Sequence, residues 1–259
     1  MNERGQRENI GTELRRLTEE EPGLRVCMFE EIDSTNSEAK RRAAGGDGGP
    51  LLLVARMQTA GRGRMGRSFS SPASSGVYFS LLYTPLTGMR DAVHITSAAA
   101  VAVRRSIFRC TGKKVGIKWV NDLYYQGKKV CGILCESMMT DGGQRIVIGI
   151  GINLDGKALP KELAATAGGL GESPVVAEAL AAESCRELLK MIRSPMDFSW
   201  LYEYRSASIV LGKAVRWSRG EKTGEGIAAD IDETGRLSVL GADGTVVLLD
   251  SGEISLRLC

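Results

Sequence analysis

Residues 118–136 read KWVNDLYYQGKKVCGILCE, and the strands within and beside this stretch decide the fold. Aromatic, β-branched and other apolar residues between polar breaks predict strands at 115–119, 123–126 and 129–138. The last two are so close in the chain that only a tight turn, predicted at Gly127-Lys128, can join them. Strands joined in this way are antiparallel neighbours, so the stretch predicts an antiparallel sheet.

Two features of this stretch suggest a ligand site without establishing one. Alternation along the predicted strand 129–138 puts Lys129 and Cys131 on one face, and Gly132 leaves a gap where a flat ligand can lie against the backbone. A lysine at the start of a strand is more often an exposed charge at a sheet edge. Asn121-Asp122 alone is typical of a turn. The stretch by itself leaves both interpretations open.

A second stretch, QTAGRGRMGR at 58–67, follows a predicted buried strand at 51–55. Its three glycines allow the backbone to approach a ligand closely, and its three arginines offer donors suited to carboxylate and phosphate oxygens. The pattern is typical of a loop that holds an anion. A mobile basic surface loop, or a loop that binds nucleic-acid backbone, fits it equally well. It matches neither the phosphate loop GxxxxGK[ST] nor GxGxxG opening a helix.

The remaining pattern alternates strands and helices up to about residue 211 and changes after it. Thr35 and Glu38 form a predicted capping box at the start of a helix. From Gly212 onward, short strands separated by glycine turns predict a small five-stranded barrel. The chain is therefore predicted to be α+β, with a mixed or antiparallel central sheet packed by helices. Its predicted units are an N-terminal helix or arm at 1–24, a main domain at 25–211 that includes a helix at 174–192, and the barrel at 212–259.

The composition limits the class of protein. With 43% hydrophobic and 25% charged residues, it is that of an ordinary soluble globular protein. The net charge of +3 is too small to argue for a nucleic-acid partner, so any attraction to anions must be local. No apolar stretch approaches the length of about 18 residues that spans a bilayer, and the charged start gives no sign of export. The six cysteines contain no Cys-x-x-Cys pair, which disfavours a zinc site and fits reduced thiols in a cytoplasmic protein.

Five motifs follow one another along the chain: DSTN at 33–36, QTAGRGRMGR at 58–67, KWVND at 118–122, KVCGILCE at 129–136 and GIGIN at 149–153. In this order they resemble the biotin protein ligase family, and the resemblance extends to GEISLR at 252–257. It implies a catalytic biotin- and ATP-binding domain with the class II aminoacyl-tRNA synthetase-like fold, followed by an SH3-like barrel. It also implies an enzyme that activates biotin with ATP to biotinyl-5′-AMP and then transfers biotin to a lysine of a biotin carboxyl carrier protein or domain.

The resemblance also assigns roles to individual residues. The family's essential lysine at the activated carboxylate matches Lys129, which joins Arg62 and Arg64 as the implied catalytic cations. Phe69 stands where a tryptophan often covers the adenine, and Asp122 is implied on the side of the Mg²⁺ that accompanies ATP. The glycines of the 58–67 loop would let it close over the adenylate. The implied biotin-binding residues are Ser34, Thr35, Asn36, Gln58, Gly61, Arg62, Arg64 and Gly132. The implied nucleotide-binding residues are Arg64, Phe69, Asn121, Asp122, Lys129 and Asn153.

Two departures from the family pattern change what is expected. Val120 replaces the proline usual in the KWPND motif, which alters the rigidity of the turn more than its chemistry. Residues 1–24 are too few for the DNA-binding winged helix of ligases that double as repressors, so DNA binding is not expected. No membrane partner is expected, and the oligomeric state stays open, a homodimer included.

Two alternative functions remain. Lipoate or octanoate transfer uses a related fold with a lysine at a comparable place, but the arginine–glycine loop and the C-terminal barrel favour biotin. A non-enzymatic module that senses biotin or binds nucleic acid is compatible with the barrel and the basic loop. The small net charge disfavours it.

Overall fold

A computed structural model of the chain describes residues 11–85, 92–173, 176–194, 197–250 and 254–258. The helices are α1 (Thr12–Glu20), α2 (Thr35–Ala44), α3 (Ala92–Thr111), α4 (Ala177–Arg193) and α5 (Ser199–Ala207). The strands are β1 (Arg25–Phe29), β2 (Leu51–Ala55), β3 (Gly76–Tyr83), β4 (Gly116–Lys118), β5 (Asp122–Tyr125), β6 (Lys128–Thr140), β7 (Gly143–Asn153), β8 (Ala214–Arg219), β9 (Lys222–Ile231), β10 (Leu237–Leu240), β11 (Val246–Leu249) and β12 (Ile254–Leu258).

Parts of three predicted elements lie outside the described residues. They are 1–10 of the N-terminal arm, 174–175 of a predicted helix, and 251–253 with 259 of the C-terminal unit. Within the described ranges, no helix is both long and apolar enough to span a bilayer.

The main sheet has seven strands in the order β1-β2-β3-β7-β6-β5-β4. Strands β1 and β2 are parallel, and every other neighbouring pair is antiparallel. The sheet is therefore mixed, as the sequence predicts. Helix α2 connects the parallel pair β1 and β2, because parallel neighbours need a crossover rather than a hairpin.

The apolar run of β2 is buried on both faces of the sheet. Leu51 and Leu53 belong to a small hydrophobic cluster beneath α2, whereas Leu52 and Val54 belong to the main core. Successive residues of a strand point to opposite faces, so an unbroken apolar run fits a strand that is covered on both sides. Helix α2 covers only part of its face, and the cleft described below begins beside the first turn of that helix.

The C-terminal strands form a separate antiparallel sheet in the order β11-β10-β9-β8-β12. Val215, Ile231 and Leu249 are buried in the same cluster as the core of the main sheet. In addition, Trp119 Nε1 donates a hydrogen bond to the Gly235 carbonyl at 2.8 Å, and Arg205 Nε donates to the Ile231 carbonyl at 2.7 Å. The second sheet is thus packed directly against the segment that precedes β5.

The β5–β6 hairpin corrects two predictions. Its turn residues are Gln126 (φ 49°) and Gly127 (φ 78°), one position earlier than predicted. Tyr124 pairs with Lys129 and Leu123 with Cys131, so a β-bulge at Val130 interrupts the alternation. Cys131 therefore points into the core, whereas the Lys129 side chain lies over Gly132. The prediction that Lys129 and Cys131 share a face is wrong, because strict alternation holds only where no extra residue is inserted.

The start of α2 also differs by one residue from the predicted capping box. Ser34 rather than Thr35 is the N-cap, and its side chain accepts a hydrogen bond from the Ser37 N–H at 3.4 Å. The cap satisfies one of the free N–H groups of the first turn. As a result, the Thr35 hydroxyl is available for contacts across the cleft.

Candidate active site

One cleft of about 510 Å³ gathers nearly every residue that the sequence predicts for the site. It is bounded by the start of α2, the 58–67 loop, the β4–β6 region and the end of β7. The predicted site residues that line it are Ser34, Thr35, Asn36, Gln58, Arg62, Arg64, Phe69, Asn121, Asp122, Lys129, Gly132 and Asn153. The exception is Gly61, which lies behind the wall of the cleft. A Cβ there would be 2.3 Å from the Phe69 carbonyl oxygen, so glycine is required for the loop to close on itself.

One side of the cleft is a set of hydrogen-bonded polar groups, here called the polar wall: Ser34, Thr35, Asn36, Gln58 and Ser80. Gln58 Oε1 accepts from the Thr35 N–H at 2.9 Å and lies 3.1 Å from Thr35 Oγ1. Gln58 Nε2 donates to Ser71 Oγ at 2.8 Å. These contacts fix the amide of Gln58 so that its oxygen faces α2.

The rear of the polar wall is fully buried. Ser80, which is 0% exposed, places its hydroxyl 2.7 Å from Thr35 Oγ1 and 2.6 Å from Asn36 Oδ1. Asn36 lies flat against β7, where a Cβ on Gly149 would be 1.9 Å from its Oδ1. Neither Ser80 nor Gly149 is among the site residues predicted from the sequence. The available signal was a lone hydroxyl in an apolar strand and a glycine at the paired position in the next strand.

The floor of the cleft is formed by two paired glycines, Gly132 and Gly151. Phe69 lies directly over both, since a Cβ would come within 3.0 Å of its ring at Gly132 and within 2.4 Å at Gly151. The Phe69 ring also meets Tyr78 edge to face, with 6.4 Å between centroids. Phe69 is thus near the residues predicted for biotin. Its predicted contact with adenine stays a prediction.

The opposite side carries positive charge and is here called the cationic rim: Arg62, Arg64, Arg67 and Lys129. Lys129 Nζ lies 2.7 Å from Asp122 Oδ1, a contact that is electrostatic rather than a well-aligned hydrogen bond. Arg64 Nη1 donates to Asn121 Oδ1 at 3.1 Å. Burial lowers the pKa of Arg64, although Asp122 opposes this shift. In the part of the chain that the structure describes, the side chains of Arg62 and Arg67 have no hydrogen-bond or ion-pair partner.

Two hydrogen bonds to neighbouring elements fix the segment around Val120. The Tyr204 hydroxyl donates to the Val120 carbonyl at 3.0 Å, and Asn121 Nδ2 donates to the Ile133 carbonyl at 2.9 Å. Asn121 and Asp122 therefore line the cleft although valine stands where the family proline is usual.

Beyond Lys129, the segment 154–171 closes the far end of the cleft. Its backbone pairs with β6, with Lys129 N–H donating to the Thr166 carbonyl at 3.0 Å and Gly168 N–H donating to the Lys129 carbonyl at 2.9 Å. Asn153 Nδ2 donates to the Gly168 carbonyl at 3.1 Å, but its buried Oδ1 has no hydrogen-bond partner among the described residues. Leu159 and Leu163 line the same end, so an apolar surface adjoins an unsatisfied acceptor.

The cleft offers few side-chain ligands for a metal ion. No group of three or more His, Cys, Asp or Glu side chains suited to a metal is found among the described residues. Asp122 offers a single carboxylate. Mg²⁺ is commonly bound through one or two carboxylates together with substrate phosphates, so this donor set fits a metal that arrives with phosphate and not a protein cage.

The arrangement can hold a neutral polar ring between the wall and Phe69 and an anionic group against the rim. Two family models match the chain: the Biotin/lipoate A/B protein ligase family at residues 28–153, and the Biotin protein ligase C terminal domain at residues 210–257. The chain is 28% identical to the bifunctional ligase/repressor BirA of Escherichia coli (strain K12) over 242 residues, which cover 91% of this chain and 75% of that protein.

Another relative is closer to this chain in length. The chain is 32% identical to the biotin–[acetyl-CoA-carboxylase] ligase of Paracoccus denitrificans over 235 residues, which cover 85% of this chain and 96% of that protein. Among solved structures, the biotin protein ligase from Aquifex aeolicus in complex with biotin and ATP aligns with a TM-score of 0.75 and 28% identity. That alignment covers 91% of this chain and 99% of the other. The chain belongs to the biotin protein ligase family.

Proposed function

We propose that this chain activates biotin with ATP to biotinyl-5′-AMP, releasing pyrophosphate, and then transfers the biotinyl group to a lysine of a biotin carboxyl carrier protein or domain. The observation that carries the proposal is a cleft in which a hydrogen-bonded polar wall faces an excess of cations across a glycine floor. Family membership and the substrates bound in the aligned Aquifex aeolicus structure support the choice of biotin and ATP.

Biotin is proposed to bind with its ureido ring against the polar wall and its carboxylate toward Lys129. The two floor glycines carry the Phe69 ring, so the ureido ring is placed between the polar wall and Phe69. Lys129 fits the carboxylate end, since its Nζ lies at the glycine floor and faces only Asp122 among the described carboxylates within ion-pair distance. A bound carboxylate would compete with Asp122 for the same ammonium.

In the first half-reaction, a biotin carboxylate oxygen attacks the α-phosphorus of ATP. The new bond joins that oxygen to phosphorus, and the bond from the α-phosphorus to the bridging oxygen breaks, so pyrophosphate leaves with its electron pair. Both reactants are anions, and fixed cations between them lower the cost of their approach. Lys129, Arg62 and Arg64 are the proposed cations. Partial burial of Arg64 strengthens its interaction with charge, because water screens it less.

The nucleotide is proposed to extend from the rim toward Asn153 and the segment 154–171. Asn153 Oδ1 offers an unsatisfied acceptor, and Leu159 offers apolar surface for a base. Asp122 and Asn121 would lie on the phosphate side, with Phe69 between the ring and the nucleotide. Mg²⁺, when bound with the phosphates, would neutralise their charge and leave Asp122 as its protein ligand.

In the second half-reaction, the neutral ε-amine of the carrier lysine attacks the acyl carbon of the mixed anhydride. The carbon–oxygen bond to AMP breaks, AMP leaves with the electron pair, and the amine loses a proton to solvent. The 58–67 loop is proposed to close over the adenylate and keep water away from it. The C-terminal sheet is proposed to be an SH3-like barrel beside a class II synthetase-like catalytic domain, and the enzyme is proposed to act in the cytoplasm.

Exchange of labelled pyrophosphate into ATP tests the proposal, with biotin, lipoate or neither in the reaction. Exchange that depends on biotin is the expected result, and exchange with lipoate alone would identify a lipoate ligase instead. Exchange that occurs when neither biotin nor lipoate is present would contradict both ligase functions. A biotin carboxyl carrier domain, added with its acceptor lysine either present or replaced by arginine, tests the second half-reaction by retention of labelled biotin.

A further inference from the structure

Lys118 lines the cleft, and the proposed reaction gives it no role. It is the last residue of β4, which is an edge strand of the main sheet. A lysine on an edge strand often serves only to keep the strands of different molecules from pairing. Lys118 differs from that case, because it is partly buried and belongs to the wall of the cleft.

The register of the sheet puts Lys118 on the face that forms the floor of the cleft. Lys118 pairs with Asp122, Asp122 pairs with Gly132, and Gly132 pairs with Gly151. Residues directly opposite each other in an antiparallel pair lie on the same face of the sheet. The bulge in β6 lies outside these pairs. The four residues therefore form one row across β4, β5, β6 and β7, with Lys118 at its outer end.

An aromatic ring holds the ammonium of Lys118. Its Nζ lies 5.6 Å from the centroid of the Tyr124 ring, and Tyr124 also lines the cleft. Tyr124 follows Asp122 by two residues in β5, so both side chains lie on the same face of the sheet. An ammonium within about 6 Å of an aromatic centroid is attracted to the face of the ring. The ring therefore keeps the Lys118 ammonium on the cleft side of the edge strand.

The row of residues also orders the two ends of the displacement at the α-phosphorus. The attacking biotin carboxylate is proposed to lie at Lys129, whose ammonium is at Gly132. In phosphoryl chemistry of this kind, the attacking and leaving oxygens stand roughly in line on opposite sides of phosphorus. Biotin approaches phosphorus from the side of the polar wall. Pyrophosphate therefore leaves on the opposite side, toward Asp122 and Lys118.

We propose that Lys118 is a catalytic residue of the first half-reaction and binds the leaving pyrophosphate. The inference rests on the proposed function and assigns its leaving-group site. As the bond from the α-phosphorus to the bridging oxygen breaks, the electron pair stays with pyrophosphate. The Lys118 ammonium donates a hydrogen bond to the β-phosphate and keeps its proton. It also offsets the charge of Asp122, the only carboxylate among the described residues that line the cleft.

Two lysines then flank Asp122 and act on different groups. Lys129 on β6 holds the biotin carboxylate, whereas Lys118 on β4 contacts only phosphates that leave. Biotinyl-5′-AMP has no β-phosphate, so the second half-reaction does not need Lys118. The two half-reactions can be run separately, and this difference can therefore be measured.

The experiment compares the parent chain with Lys118→Met and Lys118→Arg. Exchange of labelled pyrophosphate into ATP, at varied pyrophosphate, measures the first half-reaction. Transfer from purified biotinyl-5′-AMP to a biotin carboxyl carrier domain measures the second. Lys118→Met should lower kcat/KM for pyrophosphate about thirtyfold, the effect of one charged hydrogen bond, and leave transfer and the biotin Kd within about twofold. Lys118→Arg keeps the charge and should stay within about fivefold of the parent.

Lys114→Met is the matched control. It removes an exposed lysine of the same segment that does not line the cleft, so it should match the parent in both half-reactions. Circular dichroism checks the fold of every variant. If Lys118→Met does not fold, Lys118→Gln gives the same comparison with a neutral polar side chain.

Parental kcat/KM for pyrophosphate in Lys118→Met would overturn the inference while the proposed function stands. An equal loss in both half-reactions would indicate a structural role and overturn it too, as would an equal loss in Lys118→Arg and Lys118→Met. A parent chain without biotin-dependent exchange would overturn the proposed function, and this inference with it.

Discussion

The polar wall and the cationic rim face each other across the same glycine floor, yet they are built in opposite ways. In the wall, the polar side chains form hydrogen bonds to one another away from solvent, and Asn36 is 4% exposed. In the loop that carries the rim arginines, Met65 is 58% exposed, and the loop is held by backbone contacts such as Gly63 N–H to the Arg67 carbonyl. A preset wall suits a neutral ring that is recognised by hydrogen-bond direction, whereas an excess of cations suits anions that arrive and leave.

The largest expected effect comes from removing the fixed cation of the rim. Lys129→Ala should reduce biotin-dependent pyrophosphate exchange by about a thousandfold or more, because the Lys129 ammonium lies at Gly132, where the biotin carboxylate is proposed to bind. The matched control is Lys128→Ala, which removes an exposed neighbouring lysine of the same strand and should stay near parental activity. Circular dichroism checks the fold of both. Full activity in Lys129→Ala would remove this lysine from the mechanism.

A smaller effect is expected from disturbing the wall. Gly149→Ala puts a methyl group where the Asn36 oxygen lies, so Asn36 must move and the helix start with it. Overpacking of this kind destabilises by about 1–3 kcal/mol, and the biotin KM should rise while kcat changes less. Gly45→Ala is the control, since its Cβ would meet only ordinary contacts at 3.4 Å. A raised ATP KM with an unchanged biotin KM would show that the wall does not hold biotin.

The third variant separates retention of the intermediate from its formation. Arg64→Ala should lower exchange only about tenfold, the effect of one charged hydrogen bond, but release biotinyl-5′-AMP into solution. Escaped adenylate labels exposed lysines of bystander proteins, so serum albumin added to the reaction should become biotinylated. Labelling confined to the carrier domain in this variant would contradict a retention role for Arg64.

The sequence predicts most residues of both the rim and the wall, but not the contacts that join the wall, for a physical reason. The rim is local: Arg62, Arg64 and Arg67 occur within one glycine-rich loop, so their charge and spacing are visible before any fold is known. The wall is assembled from the start of α2, the loop after β2 and strand β3. Ser80 is a single polar residue in an apolar strand, and nothing nearby in sequence indicates that it meets Thr35 and Asn36.

The fold shows the same division. The mixed sheet and the separate C-terminal strands follow from apolar runs and turn signals, which are local. The bulge at Val130 does not, because it is defined by the register of β6 on β5 and thus by two strands at once. The error mattered, since alternation alone placed Lys129 with the buried Cys131. The cap at Ser34 was missed by one residue because Ser34 and Thr35 are equally good cap residues in isolation.

The division of roles between wall and rim is tested most directly by titrating biotin and its primary alcohol, biotinol, into the parent chain, Ser80→Ala and Lys129→Met. Biotinol keeps the ureido ring and lacks the carboxylate. Ser80→Ala should weaken both ligands by the same factor, whereas Lys129→Met should weaken biotin several-fold and leave biotinol unchanged. If Lys129→Met weakens both ligands alike, or if Ser80→Ala weakens only biotin, the two regions do not divide recognition as proposed.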